Sequence, residues 1–528
     1  MRRMPIGIQT FEDIITGGYA YVDKTEWVCR LAKEGKYFFL GRPRRFGKSL
    51  LLSTLRSYFE GRRELFAGLA AERLEAEWTP YPVLHIDLNV AAYKDVGDLE
   101  AGLDTNLRHF EKIWNPDGRT ADRTPSARFY DLIRTACEKS GRGVVVLVDE
   151  YDRPLLQTME QDETNDGVRN ALKGFYGVLK SADPWLRFTL LTGVTKFSKV
   201  SVFSDLNMLR DISLSAAYAG ICGISARELE GSLGPELAAL AEKNGMRYGE
   251  AVAEMKKRYD GYHFCEDGEG MFNPFSVLNA LADRKFAYYW FKTGTPTFLI
   301  EQMKRASFDP LRFTEGVTIP ARSIDDYRAD GGNPVPLLYQ SGYLTIAGYD
   351  RELDEYILDF PNEEVLYGFF EELLPAYTYG PPDGQGFFVG DFFKDLRAGD
   401  TDGFMTRMRA FFANIPYDLN DKTERHYQLV FYLVFTLLGQ YTRAEVRGAK
   451  GRADAVVETA DAVYVFEFKL NGTAEEALRQ IDDKACAIPY IRSEQVGAGT
   501  AGRRRIVKIG AAFDKDERNI ARWLVAEA

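Results

Sequence analysis

Cysteine and histidine are scarce in this sequence. Among 528 residues there are 5 cysteines, far apart and without a C-x-x-C pair, and 4 histidines without metal-ligand spacing. An odd, dispersed set of cysteines excludes a disulfide framework and a zinc ribbon, and it favours the reducing cytoplasm. The first residues also lack an apolar stretch of signal-peptide length, so we expect no secretion.

Long apolar runs and an excess of positive charge are missing as well. The most apolar stretch, LVFYLVFTLL at residues 429–438, is too short for a membrane span, which needs about 20 residues. We expect it to form a buried helix and expect no membrane partner. The 67 basic and 78 acidic residues give a net charge of −11, which excludes a chain that binds nucleic acid over its whole surface. Any nucleic-acid site must be a local basic patch.

The composition is that of a globular protein, with 45% hydrophobic and 27% charged residues. A chain of this length holds roughly three domains. In its first part, short apolar runs alternate with helical patterns, which is typical of a parallel sheet covered by helices. We therefore predict an α/β domain over residues 1–225. Its strands are expected at residues 37–40, 83–88, 144–148 and 188–192, and its helices at 49–59, 99–113, 126–139 and 167–181.

Two further regions follow. Residues 226–376 have mostly helical patterns, and within them 337–346 and 355–365 resemble a helix end with two strands, as in a winged helix. Glycine, proline and aromatic residues make 377–390 the best linker candidate. We predict a C-terminal α/β domain over 391–528, with helices at 424–438 and 474–487, a strand hairpin at 451–470 and a last strand at 506–511.

A phosphate-binding loop is the clearest motif. In YFFLGRPRRFGKSLLLSTL, residues 37–55, an apolar strand leads into a loop and an apolar helix follows at once. This context predicts a P-loop, with Lys48 reaching the outer phosphates of a nucleotide and Ser49 holding magnesium. Arg42 stands where the G-x-x-x-x-G-K-S pattern has its first glycine. The predicted nucleotide-binding residues are Arg44, Arg45, Phe46, Gly47, Lys48 and Ser49.

A buried strand that ends in two acids supplies the partner that a P-loop needs. In GVVVLVDEYDRP, residues 143–154, five apolar residues precede Asp149 and Glu150. We expect Asp149 to bind magnesium through water and Glu150 to polarise the attacking water, a pair that separates an ATPase from a nucleotide kinase. Asp87 also ends an apolar strand, but it is more typical of a cap or loop residue. Thr192 is either a sensor of the terminal phosphate or a helix cap.

Near the C-terminus, GRADAVVETADAVYVFEFKL at residues 451–470 predicts a second acidic site on a hairpin. Side chains two apart on a strand share a face, which places Glu467 with Lys469, and Asp454 on the neighbouring strand completes a cluster. Such a cluster suits metal-dependent hydrolysis of a phosphodiester, with Asp454 and Glu467 holding Mg²⁺ and Lys469 positioning water or offsetting phosphate charge. Gln480 on the following helix favours this interpretation. A surface ion pair on a half-exposed sheet is the alternative.

Other charged residues are weaker candidates. Under the nuclease interpretation the run Arg503, Arg504 and Arg505 contacts phosphates, and otherwise it is a solvated turn. Glu424 and Glu445 rank low as additions to the metal site.

Several segments of the first half resemble the bacterial AAA-ATPase-like proteins. They are YAYVDKT at 19–25, RPRRFGKS at 42–49, VDEYDRPL at 148–155, LTGVTKFSKVSVFSDLN at 191–207 and YDGYHF at 259–264. The C-terminal GRADAVV and YVFEFKL resemble the PD-(D/E)XK nuclease domain that commonly follows in that family. An arginine at position 42 is itself usual there, whereas Cys486 stands where the C-terminal helix often has an aromatic residue.

The resemblance implies an additional-strand P-loop ATPase domain, a helical or winged-helix lid and a restriction-endonuclease-like domain. The residues that match are Lys48, Ser49, Asp149 and Glu150 for the ATPase set, and Asp454, Glu467 and Lys469 for the nuclease set.

The expected function is an ATP-dependent and Mg²⁺-dependent nuclease, in which nucleotide state moves the lid and gates DNA cleavage by the C-terminal domain. The alternative is a nucleotide-dependent switch or scaffold whose nuclease-like domain binds nucleic acid or a protein partner without cleaving. Glu150 disfavours a small-molecule kinase. A homo-oligomer is also expected, because many such ATPases complete their site with a neighbour's arginine, for which Arg153 and Arg210 are candidates.

Overall fold

The fold is described from a computed structural model of the chain. The chain divides into two compact units, the first made of residues 1–294, 302–308 and 318–364 and the second of the remainder. Of residues 424–426 and 443–446 only the backbone is described. The described residues are 2–116, 123–196, 206–291, 297–314, 316–324, 332–378, 389–413, 415, 424–441, 443–446, 454–470, 472–484, 504–514, 516–517 and 519–527.

The first part of the chain alternates helices and strands, as predicted. Short 3₁₀ helices at Arg63–Phe66, Leu88–Val90, Asp183–Trp185 and Ala216–Ile221 connect some of them. The regular elements are α1 (Phe11–Thr16), α2 (Thr25–Glu34), β1 (Tyr37–Gly41), α3 (Lys48–Phe59), α4 (Ala70–Leu74), β2 (Val83–Asp87), α5 (Val96–Trp114), α6 (Pro125–Ser140), β3 (Val144–Asp149), α7 (Arg153–Gln157), α8 (Asp162–Ser181), β4 (Leu186–Gly193) and β5 (Arg210–Asp211).

The predicted parallel sheet is present and has five strands in the order β2-β3-β4-β1-β5. β4 lies between β1 and β3, so an additional strand separates the P-loop strand from the acidic strand. β3 is buried at every position, which is what a central strand covered on both faces requires. The edge strand β5 was not predicted, because its two charged residues carry no apolar pattern.

Strand register brings the ends of the strands together at one edge of the sheet. Gly41 at the end of β1 pairs with Gly193 at the end of β4, and Asp87 at the end of β2 pairs with Asp149 at the end of β3. Asp87 caps the 3₁₀ turn after β2 by accepting a hydrogen bond from the N–H of Asn89, which agrees with its interpretation as a cap. The chemical residues of β1, β3 and β4 therefore lie side by side.

The predicted helical region comes next in the chain. Most of it belongs to the first unit, and residues 295–301 and 309–317 belong to the second. Its elements include the predicted helix end and antiparallel strand pair, joined by a third strand in the order β8-β10-β9. Leu229, Leu237, Met255 and Val277 bury their side chains in a core shared by three of these helices. The elements are β6 (Ile224–Ser225), α9 (Ala226–Lys243), α10 (Tyr248–Tyr259), β7 (Met271–Phe272), α11 (Pro274–Asp283), α12 (Thr297–Arg305), β8 (Val317–Pro320), α13 (Val335–Ser341), β9 (Thr345–Asp350) and β10 (Glu355–Asp359), with 3₁₀ helices at Pro310–Thr314 and Ala321–Ser323.

The C-terminal α/β domain contains a five-stranded mixed sheet in the order β11-β12-β13-β14-β15. β13 and β14 are parallel and are joined through α18, while the other neighbours are antiparallel. The elements are α14 (Glu363–Thr378), α15 (Val389–Ala398), α16 (Thr401–Ala413), α17 (Glu424–Leu438), β11 (Arg443–Val446), β12 (Ala455–Glu458), β13 (Ala462–Lys469), α18 (Ala474–Asp483), β14 (Arg505–Asp514) and β15 (Asn519–Glu527).

Three predictions for this region need correction. The last strand is not at 506–511, because β15 follows β14; β15 is a half-exposed edge strand with no continuous apolar run. α18 ends at Asp483, where the N–H of Lys484 bonds back to the carbonyl of Gln480; residues 485–487 lie outside the described part. Both ends of the predicted linker are helical, and its residues 379–388 also lie outside it. The three domain boundaries stay a prediction.

The apolar stretch at residues 429–438 forms the buried end of α17, as predicted. Val430, Leu433, Val434 and Phe435 have no exposed surface. In the described part of the chain we find no helix whose length and hydropathy would suit a membrane span.

Candidate nucleotide-binding and nuclease sites

The predicted P-loop connects the end of β1 with the start of α3. Gly47 has φ of 92°, in the left-handed region, and a Cβ added there would meet no atom within 4 Å. Backbone conformation, and not lack of space, therefore requires glycine. Arg45 has φ of 68°, which is uncommon for a residue with a side chain. These two residues turn the chain sharply into α3, so the N-terminal N–H groups of the helix lie next to the loop.

Lys48 lies across this loop and reaches the acidic strand. Its Nζ donates to the carbonyl oxygens of Arg42 at 3.0 Å and Pro43 at 3.2 Å, and it lies 3.4 Å from Oε1 of Glu150. The side chain is only 4% exposed. The fold thus brings the predicted phosphate-binding lysine to the glutamate that is predicted to act on water.

Arg42 anchors the loop where a glycine is usual. Its guanidinium is buried and donates to the carbonyl oxygens of Ser213 at 2.7 Å and Tyr218 at 3.2 Å. It also lies 3.9 Å above the ring of Phe264. Burial lowers the pKa of Arg42. A glycine here would leave these carbonyls without a donor, so the arginine has a structural role in this loop.

The three residues before Gly47 are held by the segment that follows the sheet. The carbonyl of Arg44 accepts from Nε1 of Trp290 at 3.1 Å, and Arg45 lies 4.8 Å above the ring of Phe275. Phe46 is buried and packs against Tyr262 and Phe264 of YDGYHF, with ring centroids 4.7 and 5.4 Å apart. The predicted nucleotide-binding set therefore divides: Arg44, Arg45 and Phe46 stabilise the loop with their side chains or carbonyls, and Lys48 and Ser49 approach the acids.

Glu364 fixes the position of Trp290. Its Oε1 accepts from the backbone N–H of Trp290 at 2.8 Å and of Tyr289, and its Oε2 accepts from Oγ of Ser276 at 2.6 Å. Burial raises the pKa of Glu364 to about 7, although these donors oppose the shift. Sequence reasoning missed this residue, because its partners lie about 75 to 90 positions away in the chain.

We expect Glu364 to make the first unit less stable as pH rises. The unfolded carboxyl ionises first, near pH 4.5, so folding stability from this group falls between about pH 4.5 and 7 and stays low above it. The total loss is roughly 3 kcal/mol, because folding raises the pKa from 4.5 to about 7. Glu364→Gln keeps an acceptor for the two N–H groups and should flatten this dependence. Urea midpoints at pH 5 and pH 8 measure it, with Glu352→Gln, at an exposed position of the same unit, as the control. Equal pH slopes for wild type and Glu364→Gln would contradict the prediction.

Asp149 and its neighbours form the predicted magnesium position. The carboxylate is 3% exposed and accepts a hydrogen bond from Oγ1 of Thr192 at 2.9 Å, and the Ser49 hydroxyl is bonded to it as well. Burial raises the pKa of Asp149, while the Ser49 hydrogen bond partly offsets the effect. Thr192 lies inside β4, so it is not a helix cap. The Ser49 hydroxyl at the start of α3 and the buried Asp149 carboxylate suit a hydrated Mg²⁺.

Glu150 has a left-handed backbone, with φ of 53°. A non-glycine residue in this region costs of the order of 1–3 kcal/mol and persists where the surroundings impose it. The turn takes the chain out of β3 and leaves the Glu150 side chain partly exposed, next to Lys48. Its position suits a group that contacts water at the outer phosphate.

Asp152 is a buried acid that sequence reasoning did not single out. It accepts from the N–H groups of Val194 at 3.0 Å and Thr195 at 2.6 Å and from Oγ1 of Thr195 at 2.7 Å. Burial, reinforced by Glu150, raises the pKa of Asp152 to about 6. A Cβ at Gly193 would come within 2.5 Å of this carboxylate. Asp152 therefore links the turn after β3 to the residues after β4 by hydrogen bonds. The sequence does not show this link, because it depends on the pairing of the two strands.

A cleft opens beside Gly47 and the first turn of α3. Most of its lining side chains are apolar, and they come from residues 5–28, from α3 and from residues 221–278. Sequence reasoning missed it because these segments are far apart in the chain. Representative lining residues are Tyr21, Val22, Leu50, Leu51, Ile224 and Leu278.

The predicted acidic cluster of the C-terminal domain is also assembled. Glu467 on β13 is 1% exposed, and its Oε1 accepts from the side-chain amide of Gln480 and from Nζ of Lys484 at 3.1 Å. The other end of the Gln480 amide accepts from Nζ of Lys469. Gln480 thus bridges the two residues of the E-x-K pattern. Lys484 was not predicted, although it follows Gln480 by four positions, the spacing of one helix face.

Asp454 completes this cluster from the residue just before β12, not from within the strand as expected. Its Oδ2 accepts from the backbone N–H of Phe468, between the two E-x-K residues, at 2.8 Å. Burial, reinforced by the Glu467 carboxylate, raises the pKa of Asp454 to about 6. The two carboxylates are therefore close enough to interact, and water and substrate oxygens would have to complete the coordination of a metal.

One atom in the cluster points to a divalent cation. Oε2 of Glu467 is buried and has no hydrogen-bond partner within the described residues. A buried carboxylate oxygen without a donor is costly unless a cation binds it. Asp454 and Glu467 supply the oxygen ligands that Mg²⁺ prefers, so the residues present fit the metal. In the described part of the chain, this cluster included, no group of three or more His, Cys, Asp or Glu residues is arranged to hold a metal.

The weaker candidates either pair with acids outside this cluster or lie outside the described residues. Arg504 pairs with Glu458 at 2.8 Å, and Arg505 with Glu527 at 3.5 Å. Contacts of these arginines with phosphate stay a prediction. Residues that fall outside what the structure describes are Arg503, Cys486 and the side chains of Glu424 and Glu445.

Comparison with known proteins assigns a family to each of two parts of the chain. Residues 5–203 match the family model described as Predicted AAA-ATPase, and residues 422–523 match that of the PD-(D/E)XK nuclease superfamily. The chain is also 36% identical over 536 residues to a protein of Azotobacter chroococcum mcd 1 named "Uncharacterized protein in vnfD 5'region", covering 99% of each chain. This chain belongs to the predicted AAA-ATPase family with a PD-(D/E)XK nuclease domain. The arrangement is the one that the motifs indicated.

Within the AAA-ATPase match lie the P-loop, the acidic end of β3 and Thr192. The PD-(D/E)XK match includes Asp454, Glu467, Lys469, Gln480 and Lys484. Each cluster of this AAA-ATPase family member therefore lies in the part of the chain whose family uses that kind of chemistry.

Proposed function

We propose that this AAA-ATPase family member binds and hydrolyses ATP with Mg²⁺ and that its PD-(D/E)XK domain cleaves DNA with Mg²⁺ under nucleotide control. One observation carries both halves. In each domain an ammonium group belongs to an acidic cluster: Lys48 lies 3.4 Å from the partly exposed Glu150, and Lys469 is linked to the buried Glu467 through Gln480. This is the arrangement that phosphoryl and phosphodiester chemistry requires.

In the ATPase half, Lys48 binds the outer phosphates and the N–H groups at the start of α3 bind the phosphate chain. Ser49 and Asp149 hold Mg²⁺, which when bound neutralises charge on the phosphate oxygens. Glu150 orients the attacking water and accepts its proton. The apolar lining of the cleft beside Gly47 suits the nucleotide base.

In the nuclease half, Asp454 and Glu467 hold Mg²⁺, which when bound lowers the negative charge of the scissile phosphate. Lys469 orients the attacking water or offsets the charge that develops on the phosphate. Water adds to phosphorus and gives up one proton to solvent, one bridging P–O bond breaks, and the leaving oxygen takes a proton from solvent. Gln480 fixes the Glu467 and Lys469 side chains relative to each other.

A second candidate is a nucleotide-dependent switch whose nuclease-like domain binds nucleic acid or a protein without cleaving. The pairing of Arg504 and Arg505 with acids of their own domain favours a protein partner for such a switch, because paired arginines are less available to phosphates. We also propose a homo-oligomer, with Arg153 or Arg210 completing a neighbour's ATPase site, and a cytoplasmic location.

Cleavage of linear, circular and single-stranded DNA with Mg²⁺ or Mn²⁺, with and without ATP, tests the proposal. We expect cleavage by the wild type, loss of cleavage in both Lys48→Ala and Lys469→Ala, and loss of ATP turnover in Lys48→Ala alone. Lys508→Ala is the matched control. Lys508 lies on β14 of the same sheet and pairs with Asp482 of α18, outside the cluster. ATP turnover without cleavage of any DNA would favour the switch.

A further inference from the structure

Lys484 is a second cation at the nuclease cluster that the E-x-K pattern does not include. We propose that Lys484 and a divalent metal are alternative partners of Glu467, and that the ammonium group of Lys484, once displaced by the metal, binds a phosphate of the DNA. The inference rests on the proposed metal-dependent nuclease. Lys484 therefore weakens the binding of the metal and strengthens the binding of DNA.

The first support is the shared carboxylate. Nζ of Lys484 lies 3.1 Å from Oε1 of Glu467, the carboxylate that is also the best-buried metal ligand of the cluster. A divalent cation at this carboxylate repels an ammonium group at hydrogen-bond distance. The two cations therefore compete, whereas Lys469 does not, because its Nζ bonds to Gln480 and not to the carboxylate.

The second support is the position of Lys484 at the mouth of the cluster. Its side chain is 32% exposed, whereas the Glu467 side chain is 2% exposed. The flexible four-carbon stem of lysine lets its ammonium group move between the buried carboxylate and solvent. DNA must approach the carboxylates from the solvent side, where the displaced ammonium group lies.

The third support is the helix that carries it. α18 packs against β13 and β14, and Gly510 on β14 allows the close approach, since a Cβ there would come within 2.5 Å of the carbonyl of Ala474. Gln480 and Lys484 follow each other at helical spacing on one face. Gln480 binds both E-x-K residues, so the helix is held in a fixed position and presents Lys484 to Glu467.

Binding of Mn²⁺ tests the competition. The measurement uses the full chain in an Asp149→Asn background, so that the ATPase site does not contribute, and isothermal titration without nucleotide. Lys484→Met should bind Mn²⁺ on the order of tenfold more tightly than the background protein. Lys484→Arg keeps the charge and should stay within about threefold, and Lys508→Met should show no change. Glu467→Gln should lose the site.

Binding of DNA in the presence of saturating Mn²⁺ tests the second half. Fluorescence anisotropy with a labelled duplex should show weaker binding by Lys484→Met, by about fivefold to tenfold, with Lys484→Arg close to the background protein. Unchanged or weaker Mn²⁺ binding by Lys484→Met would overturn the competition, and unchanged DNA binding would overturn the phosphate contact. If Mn²⁺ binding and DNA binding change as expected but neither the wild type nor any variant cleaves DNA, the proposed cleavage is wrong and this inference stands. If no protein binds Mn²⁺, both fail.

Discussion

Replacing Glu150 by glutamine is expected to leave ATP bound and to slow its hydrolysis by roughly 10²- to 10⁴-fold. Glutamine keeps the size of the side chain but cannot accept the proton of the attacking water. The phosphate-binding groups remain, since Lys48 keeps its contacts with the carbonyls of Arg42 and Pro43. Removing the carboxylate 3.4 Å from Nζ also frees Lys48 for phosphate, so ATP affinity should stay equal or rise.

Two measurements check the role of Glu150. Phosphate release gives the rate of hydrolysis, and titration with a fluorescent ATP analogue gives the affinity. Glu163→Gln, an exposed residue in the first turn of α8, is the control and should behave as the wild type. Asp149→Asn should differ from Glu150→Gln by losing the Mg²⁺ dependence of binding. Hydrolysis by Glu150→Gln within about twofold of the wild type would contradict the assignment.

Glu467→Gln is expected to reduce DNA cleavage by at least about 10²-fold and to abolish metal binding at the C-terminal cluster. The variant removes the charge of the more buried of the two carboxylates in the cluster. It also removes Oε2, which has no donor in the described part of the chain. Gln480 can still bond to the amide oxygen, so the cluster should keep its packing. The loss should therefore come from the metal and not from the fold.

Cleavage of linear DNA across a Mg²⁺ titration, together with the thermal midpoint of unfolding, separates these causes. Glu458→Gln is the matched control, because Glu458 lies on the adjacent β12 and pairs with Arg504 instead of facing the cluster. We expect that control to retain cleavage and Glu467→Gln to retain ATP turnover. Rescue of Glu467→Gln by high Mg²⁺ to wild-type rates would contradict a direct ligand role.

The elements that carry the candidate ATPase residues could be predicted from sequence because their signals are local. Apolar runs mark β1, β3 and β4, and a glycine, a lysine and two acids stand at their ends. The hairpin of Asp454 and Glu467 was predictable for the same reason, since strand alternation and a short turn are properties of neighbouring residues. The edge strands β5 and β15 carry no continuous apolar run and escaped prediction.

Residues whose partners are distant in the chain could not be predicted. Arg42 bonds to carbonyls about 170 positions away, Glu364 to groups about 75 to 90 positions away, and Asp152 to the loop after β4. Each is a polar group whose burial only the packed fold creates. A single sequence does not show which charged residue will be buried, because charge is usually solvated.

By itself, the sequence determined the kinds of chemistry and their order along the chain: a phosphate loop with an acidic strand, then an acidic hairpin followed by a helix with Gln480. Backbone propensity and apolar periodicity act over a few residues, so these features are encoded locally. Only the tertiary structure decided which side chains meet. It placed Lys48 against Glu150, formed the cleft beside Gly47, left Oε2 of Glu467 without a donor among the described residues and brought Lys484 to the same carboxylate. Those contacts depend on strand register and helix packing, which bring together residues that are far apart in the chain.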